Sequence, residues 1–327
     1  MKELVKRLVE AYGPAGSEEL VRDLIAQEVK PYVDQLQVDA LGNLIAIKRG
    51  GEKKLMFSSH MDEIGVMVTH IDEHGFLRFY NVGGLSPFSL IGNRCYFANG
   101  TVGVFGYERL DAIKDLTMSK MFIDIGASSR EEASQRVRIG DTAAIKREFA
   151  DLGRRLVSKA MDDRVACAVL IEALKQVRQP VYDIYAVFST QEEVGLRGAR
   201  VAAYGITPDL GIAIDVTRTG DTPKSALMDV SLGKGPTVKV RDSSVLCTPA
   251  VRKFMEEVAQ SKGIPYQLEV LEAGGTDAGA IQLTKSGIPA GVMSIPCRYI
   301  HTASEMVDVG DLEHGVQLLV AIMETTF

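Results

Sequence analysis

Residues that can bind metal ions lie beside short apolar runs at several distant points of the chain. They are His60, Asp162, Glu192, Glu193, Asp215 and His301. Imidazole nitrogens and carboxylate oxygens are common ligands of zinc, cobalt and manganese, and the residue types alone do not choose among these metals. A fold that brought these side chains together would form a metal site.

The apolar runs indicate how the side chains could meet. Residues 55–57, 184–188, 210–214 and 290–295 are apolar runs bounded by turn residues, which is typical of strands in a largely parallel sheet buried on both faces. In open α/β sheets, ligands bind outside the carboxyl ends of the strands. We therefore expect the residues beside these runs to share one location.

His60 and Asp62 form a pair at the end of the first run. At positions i and i+2 their side chains point to the same side if the strand continues. A histidine that binds a metal usually has its other nitrogen fixed by a carboxylate or a carbonyl. His60 is therefore a candidate ligand and Asp62 a candidate for orienting it, although a surface His beside an exposed Asp would give the same tripeptide.

Glu192 and Glu193 are adjacent acids at the end of a predicted buried strand. If one carboxylate binds a metal and the other stays free beside the attacking water, the pair supplies both a ligand and a general base. A solvated acidic turn is the alternative interpretation.

Asp162, Asp163 and Arg164 open a predicted helix, where carboxylates interact favourably with the helix dipole. Arg164 is a candidate partner of Asp163. One carboxylate can also bridge two cations about 3.5 to 4 Å apart. Because the candidate ligands outnumber one tetrahedral shell, we expect two divalent metal ions.

Residues 274–279, with the sequence GGTDAG, form a Gly-rich turn into a predicted helix. The backbone N–H groups of such a turn could bind a carbonyl or carboxylate of a substrate. A tight connection between a strand and a helix explains the glycines equally well, so both interpretations stay open.

The wider pattern predicts an α/β fold. The predicted strands are residues 37–39, 43–48, 54–59, 183–189, 210–214, 266–270 and 290–294, and the main predicted helices are 163–177, 198–204, 249–262, 276–286 and 309–323. Alternation of this kind favours a three-layer α/β/α sandwich.

Residues 66–145 have a different sequence pattern, with short β-like runs separated by Gly, Asn and Asp turns. Helical periodicity is nearly absent there, except around 129–136. This segment predicts a small β-barrel inserted into the α/β domain. We therefore expect a discontinuous catalytic domain formed by residues 1–65 and 146–327.

Composition excludes several classes of partner. The formal net charge of −6 argues against general binding to nucleic acid or to anionic membranes. No apolar segment of about 18 residues is present, and the first residues alternate charged with apolar positions, unlike a signal peptide. The four cysteines lie far apart and form no CxxC motif. We expect a cytoplasmic protein with buried, reduced cysteines.

Six motifs along the chain together resemble one enzyme family. They are HMDEIG at 60–65, MDDR at 161–164, TQEEVG at 190–195, Asp215, GTDA at 275–278 and RYIH at 298–301. In this order they are similar to the tetrahedral aminopeptidases, which comprise glutamyl, leucyl and lysyl aminopeptidases and include proteins that carry the older label cellulase M or endoglucanase. The resemblance spans nearly the whole chain.

The resemblance implies a dinuclear metalloaminopeptidase. By motif position, it implies that His60 and Asp215 bind one metal, that Glu193 and His301 bind the other, and that Asp162 bridges the two.

The resemblance also implies roles for two further residues and an assembly. Glu192 would be the general base and Asp62 would orient His60. The inserted barrel would mediate dimerisation, and dimers would assemble into a hollow dodecamer that admits short peptides.

Three other functions remain as alternatives. A related dinuclear amidohydrolase, acting as a deacylase or carboxypeptidase, would share the same ligands. A glycosidase normally needs two opposed carboxylates and no metal, so it is disfavoured. A non-catalytic assembly protein would be expected to lack a ligand or the base, and none is missing here.

Overall fold

The computed structural model describes residues 1–327. The helices are α1 (Lys2–Glu10), α2 (Glu19–Val29), α3 (Pro87–Leu90), α4 (Arg130–Ser134), α5 (Met161–Gln176), α6 (Arg197–Ile206), α7 (Pro249–Ser261), α8 (Asp277–Gln282) and α9 (Val309–Met323). The strands are β1 (Gln35–Val38), β2 (Leu44–Lys48), β3 (Lys54–His60), β4 (Gly65–Ile71), β5 (Leu77–Val82), β6 (Arg94–Phe97), β7 (Val102–Tyr107), β8 (Met121–Asp124), β9 (Thr142–Lys146), β10 (Ala150–Asp151), β11 (Arg155–Ser158), β12 (Asp183–Ser189), β13 (Leu210–Thr217), β14 (Thr237–Arg241), β15 (Gln267–Val270), β16 (Ala290–Arg298) and β17 (Glu305–Asp308). None of the helices is long and apolar enough to cross a membrane.

The larger of two sheets has eleven strands, in the order β1-β2-β12-β3-β13-β16-β17-β11-β10, with β14 and β15 attached through β16. Strands β12, β3, β13 and β16 pair in parallel. The strands that flank these four pair with them antiparallel. The prediction of a largely parallel sheet is therefore right for the centre and for the pair β14 and β15, and wrong for the other outer strands.

Helices cover both faces of this sheet because its central strands are apolar on both sides. Along β3, Phe57 packs in a large buried cluster that includes residues of α1, α5 and α9, such as Leu170. The next side chain, Met56, points the other way and packs with Ala202 of α6 and Ile281 of α8. Alternation along a strand sends neighbouring side chains to opposite faces. The predicted α/β/α sandwich is confirmed.

The smaller sheet is a closed barrel of six strands in the order β4-β5-β8-β7-β6-β9. It lies between β3 and β11 along the chain and has a buried core of its own, which includes Leu77, Phe105 and Ile123. The only regular α-helix within the predicted helical stretch 129–136 is α4, whose first turn is capped by the hydroxyl of Ser129. The predicted β-barrel within an α/β chain is confirmed.

Candidate metal centre

The carboxyl ends of the four parallel strands meet at one edge of the larger sheet. His60 ends β3 beside Ser189 of β12, and Asp215 lies within β13 beside Ser294 of β16. Six of the predicted site residues line one cleft of about 380 Å³ at this edge: His60, Asp162, Glu192, Glu193, Asp215 and His301. Asp62 is fully buried behind them. The fold thus brings together side chains that are up to 241 residues apart, as the separation of His60 from His301 shows.

Asp162 lies between the two histidines. Its Oδ1 atom is 3.1 Å from Nε2 of His60, and its Oδ2 atom is 3.3 Å from Nε2 of His301. Two groups of potential ligand atoms result, each with all atoms within 4.8 Å of one another: His60, Asp162 and Asp215 in one, and Asp162, Glu193 and His301 in the other. One carboxylate is shared by both groups.

The donor set fits divalent metal ions. The four acids Asp162, Glu192, Glu193 and Asp215 have no lysine or arginine within 4.0 Å. Oε1 of Glu193 is buried without a hydrogen-bond partner, although it lies 3.3 Å from Nε2 of His301. A buried, unpaired carboxylate oxygen is costly unless a cation or a donor approaches it. The arrangement therefore suits cations bound by oxygen and nitrogen atoms.

Electrostatics at the site also favour added positive charge. Burial raises the pKa of Asp215 well above its usual range, and the neighbouring Asp162 raises it further. Burial lowers the pKa of His301, but the nearby carboxylates of Asp162 and Glu193, each 3.3 Å from Nε2, outweigh this effect and raise the pKa to about 11. Burial also lowers the pKa of His60, but the neighbouring carboxylates of Asp162 and Asp62 outweigh it and raise the pKa. These groups therefore tend to bind protons, and a metal cation can displace those protons.

Asp62 holds the turn that carries the two glutamates. Its carboxylate oxygens accept hydrogen bonds from the backbone N–H groups of Glu192, at 3.0 Å, and Glu193, at 3.1 Å. The same carboxylate lies 3.5 Å from Nδ1 of His60, while the backbone carbonyl of Asp62 lies closer, at 3.1 Å. One side chain therefore contacts both the first histidine and the glutamate turn.

Two acids that the sequence analysis did not place in the site accept hydrogen bonds from the backbone of the candidate ligands. Glu305 of β17 accepts hydrogen bonds from the backbone N–H groups of Asp162, at 3.0 Å, and His301, at 2.7 Å. Asp163 accepts a hydrogen bond from the backbone N–H of His60, at 3.1 Å. The only signal in the sequence for Glu305 is its position four residues after His301.

Arg164 does not pair with Asp163, and this prediction was wrong. Its guanidinium is fully buried, donates a hydrogen bond to the carbonyl of Leu8 at 2.7 Å and lies 3.6 Å from Glu63. It also donates to the carbonyl of Met61. Arg164 therefore ties α1 to the segment that follows His60.

The Gly-rich turn has both a packing role and a place in the cleft. Asp277 accepts hydrogen bonds from the hydroxyl groups of Ser58, at 2.7 Å, and Ser189, at 2.6 Å, so it joins α8 to β3 and β12. Gly274 and Gly275 line the cleft itself. The two interpretations left open by the sequence are therefore compatible.

A family model described as M42 glutamyl aminopeptidase matches residues 42–318. The chain belongs to this M42 family. The lysyl aminopeptidase of Pyrococcus furiosus is 38% identical over 336 residues, which cover 98% of this chain and 96% of that protein. This M42 protein is accordingly an aminopeptidase, a hydrolase of peptide bonds.

Solved structures agree with the assignment to the M42 family. An aminopeptidase from the archaeon Desulfurococcus kamchatkensis is 41% identical and matches with a TM-score of 0.95 over 99% of this chain and 94% of that chain. A Pyrococcus horikoshii TET1 peptidase, described as able to assemble into a tetrahedron or a large octahedral shell, is 35% identical, with a TM-score of 0.90 over 99% of each chain. The similarity to these aminopeptidase structures thus extends over nearly the whole chain, including the barrel.

The barrel of this M42 aminopeptidase reaches the candidate metal centre. Gly84, in the segment between β5 and α3, lines the cleft. A Cβ atom at this position would lie 2.8 Å from Nδ1 of His301, which is too close for a side chain. Glycine therefore allows the barrel segment to lie directly against one of the two histidines.

Proposed function

We propose that this aminopeptidase removes N-terminal residues from short peptides with two divalent metal ions, and that Glu192 is its general base. The observation that carries this proposal is the position of Asp162. Its two carboxylate oxygens lie 3.1 Å from His60 and 3.3 Å from His301. A carboxylate shared in this way suits a bridging ligand between two cations.

The proposed ligands divide between the two groups. His60 and Asp215 would hold one cation, Glu193 and His301 would hold the other, and Asp162 would bind both. When bound, zinc, cobalt or manganese ions would polarise the scissile carbonyl and lower the pKa of the attacking water.

Glu192 is the acid in the cleft that belongs to neither ligand group. Its carboxylate lies 3.9 Å from Nε2 of His60, and its backbone is held by Asp62. In the proposed mechanism, Glu192 accepts a proton from the attacking water and later donates it to the leaving amine. This use of one carboxylate as base and then acid is ordinary general acid–base catalysis.

The carboxylates of the cleft could also contact the substrate end that an aminopeptidase must recognise. A free N-terminal amine carries a positive charge, and the cleft contains four carboxylates within a small volume. An N-acylated peptide lacks that charge. We therefore propose that a free amine is recognised beside the metals, by carboxylate oxygens that the two cations leave available.

We also propose that residues 66–145 form a dimerisation domain and that the chain assembles further into a shell. Large apolar side chains are exposed on the barrel strands and their connections, including Tyr80, Val104, Ile113 and Ile139. These side chains offer apolar surface for association with a second copy of the chain. The mass of the purified protein in solution, measured by light scattering, tests this proposal.

Removal and replacement of metal tests the catalytic proposal. The protein would be stripped with a chelator, reloaded with zinc, cobalt or manganese, and assayed with free aminoacyl anilides and their N-acetylated forms. Two metal ions per chain and metal-dependent cleavage of the free amines alone are expected. Cleavage of the acetylated compounds would favour a deacylase instead, and activity that survives complete metal removal would contradict the proposal.

A further inference from the structure

Arg218 is the only lysine or arginine among the 17 residues that line the cleft. It directly follows β13, the strand that carries Asp215. The other charged or ionisable residues of the lining are the proposed metal ligands and Glu192. Arg218 therefore supplies a positive charge in the cleft that the proposed mechanism does not use.

The backbone that carries Arg218 is held in place. The preceding residue, Thr217, is buried, and its hydroxyl donates a hydrogen bond to Glu269 at 2.7 Å. Glu269 in turn forms a buried ion pair with Lys239 at 3.0 Å. The position of Arg218 relative to Asp215 is thus fixed by the end of the strand, whereas its side chain is exposed to solvent.

No acid of the protein neutralises Arg218. Its side chain has no carboxylate within 4.0 Å and makes no hydrogen bond. The acid that follows it most closely, Asp221, is bound by both Nε and Nη2 of Arg298, at 2.9 and 2.8 Å. Asp221 also accepts a hydrogen bond from the backbone N–H of Leu232. The guanidinium is therefore free to bind an anion from outside.

We infer that Arg218 binds a carboxylate of the peptide substrate and thereby contributes to specificity. This inference rests on the proposed function of the cleft. A guanidinium matches a carboxylate with two parallel hydrogen bonds. The carboxylate would be the side chain of an acidic N-terminal residue or the C-terminus of a very short peptide.

The spacing suits either source. Arg218 follows Asp215 by three positions, which corresponds to about 10 Å between their Cα atoms in extended backbone. An extended dipeptide or tripeptide spans about 7 to 11 Å. A short peptide with its amine at the metal centre can therefore bring its C-terminal carboxylate to the guanidinium, whereas an acidic side chain of the first residue would be met by the long side chain of Arg218.

Substrate pairs that differ only in one carboxylate test the inference. Glutamyl anilide and glutaminyl anilide compare the side-chain source, while leucyl-glycine and leucyl-glycine amide compare the C-terminal source. Each pair would be measured with the wild type and with Arg218→Gln, Arg218→Lys and Arg200→Gln. Arg200 is a matched control because it lies on α6 and lines a different groove, beside Tyr204.

We expect Arg218→Gln to lower kcat/KM for the acid member of one pair by about tenfold relative to its amide, and Arg218→Lys to lower it less. Arg200→Gln should leave both ratios unchanged. The pair that responds identifies the source of the carboxylate. Unchanged ratios in Arg218→Gln would overturn the inference, whereas a wild type that cleaves none of the four compounds would overturn the proposed function itself.

Discussion

Glu192 and Glu193 are neighbours in sequence but have different surroundings. Glu193 lies 3.3 Å from Nε2 of His301 and belongs to a ligand group, whereas Glu192 is 3.9 Å from Nε2 of His60 and belongs to none. Both backbone N–H groups are held by Asp62. These different surroundings of two adjacent carboxylates on one turn suit the two roles proposed for them, metal binding for Glu193 and proton transfer for Glu192.

The variant Glu192→Gln should retain its metal and lose its activity. The amide keeps nearly the same shape but cannot accept the proton, so we expect kcat to fall about 100- to 10,000-fold. Elemental analysis should still find two metal ions per chain. The comparator Glu193→Gln should instead lose metal and recover part of its activity when excess metal is added. Normal turnover by Glu192→Gln would exclude this residue as the base.

The variant Asp62→Ala should weaken metal binding even though Asp62 is not a proposed ligand. It removes the acceptor for two backbone N–H groups of the glutamate turn, and loss of such support typically lowers metal affinity about 10- to 100-fold. Competition with a chelating dye would measure the effect. Asp72→Ala is a suitable control, because Asp72 likewise accepts two backbone N–H groups, from His74 and Phe76, in the barrel. Equal metal affinities in the two variants would contradict the assigned role of Asp62.

At the scale of elements, the start of α6 is packed tightly against the end of β12. Asn43 joins them, since it accepts a hydrogen bond from the backbone N–H of Thr190 and donates one to the carbonyl of Gly198. A Cβ atom at Gly198 would overlap both Asn43 and the backbone of Thr190. This contact positions the helix that follows the glutamate turn.

Two glycine substitutions in α6 should have opposite effects on stability. Gly198→Ala should destabilise the protein by about 1 to 3 kcal/mol, because the added methyl group has no space. Gly205→Ala, in the same helix, meets no atom within 4 Å and should stabilise by up to about 1 kcal/mol, because alanine favours the helix. Thermal unfolding would compare them. Equal melting temperatures would show that the contact at Gly198 relaxes easily.

The sequence predicted the bounds of the central strands better than the long-range hydrogen bonds that hold the site. The apolar run of β12 was predicted with its observed bounds, Asp183–Ser189, and β3 was one residue too short. β13 was predicted to end at residue 214, although it continues to Thr217 because residues 215–217 still pair with β16. Glu305 and Asp277 could not be assigned, since their partners depend on how distant strands and helices meet.

At the scale of the whole molecule, the barrel presents a cross-strand apolar pair to solvent. Met67 of β4 lies opposite Tyr80 of β5, and 38% and 69% of these residues are exposed. Their neighbours Val66 and Val68 point into the barrel core. The pair is therefore a good probe of the proposed association surface.

The double variant Met67→Glu with Tyr80→Glu should reduce the mass of the assembly in solution. Two carboxylates on an apolar interface would be desolvated and would repel those of the partner copy. Size-exclusion chromatography with light scattering would measure the change. Tyr204→Glu, at an exposed aromatic of α6, serves for comparison. If only Tyr204→Glu dissociated the protein, the proposed role of the barrel would be wrong.

The contact of Gly84 with His301 has a thermodynamic consequence. A barrel segment that touches a proposed metal ligand would couple two equilibria, namely the proposed cation binding in the cleft and the proposed self-association through the barrel. Such coupling is reciprocal, so association that tightens cation binding by some factor is itself strengthened by the cation by the same factor. Metal-depleted protein would then dissociate at concentrations at which the loaded protein stays assembled, and dilution alone would release metal.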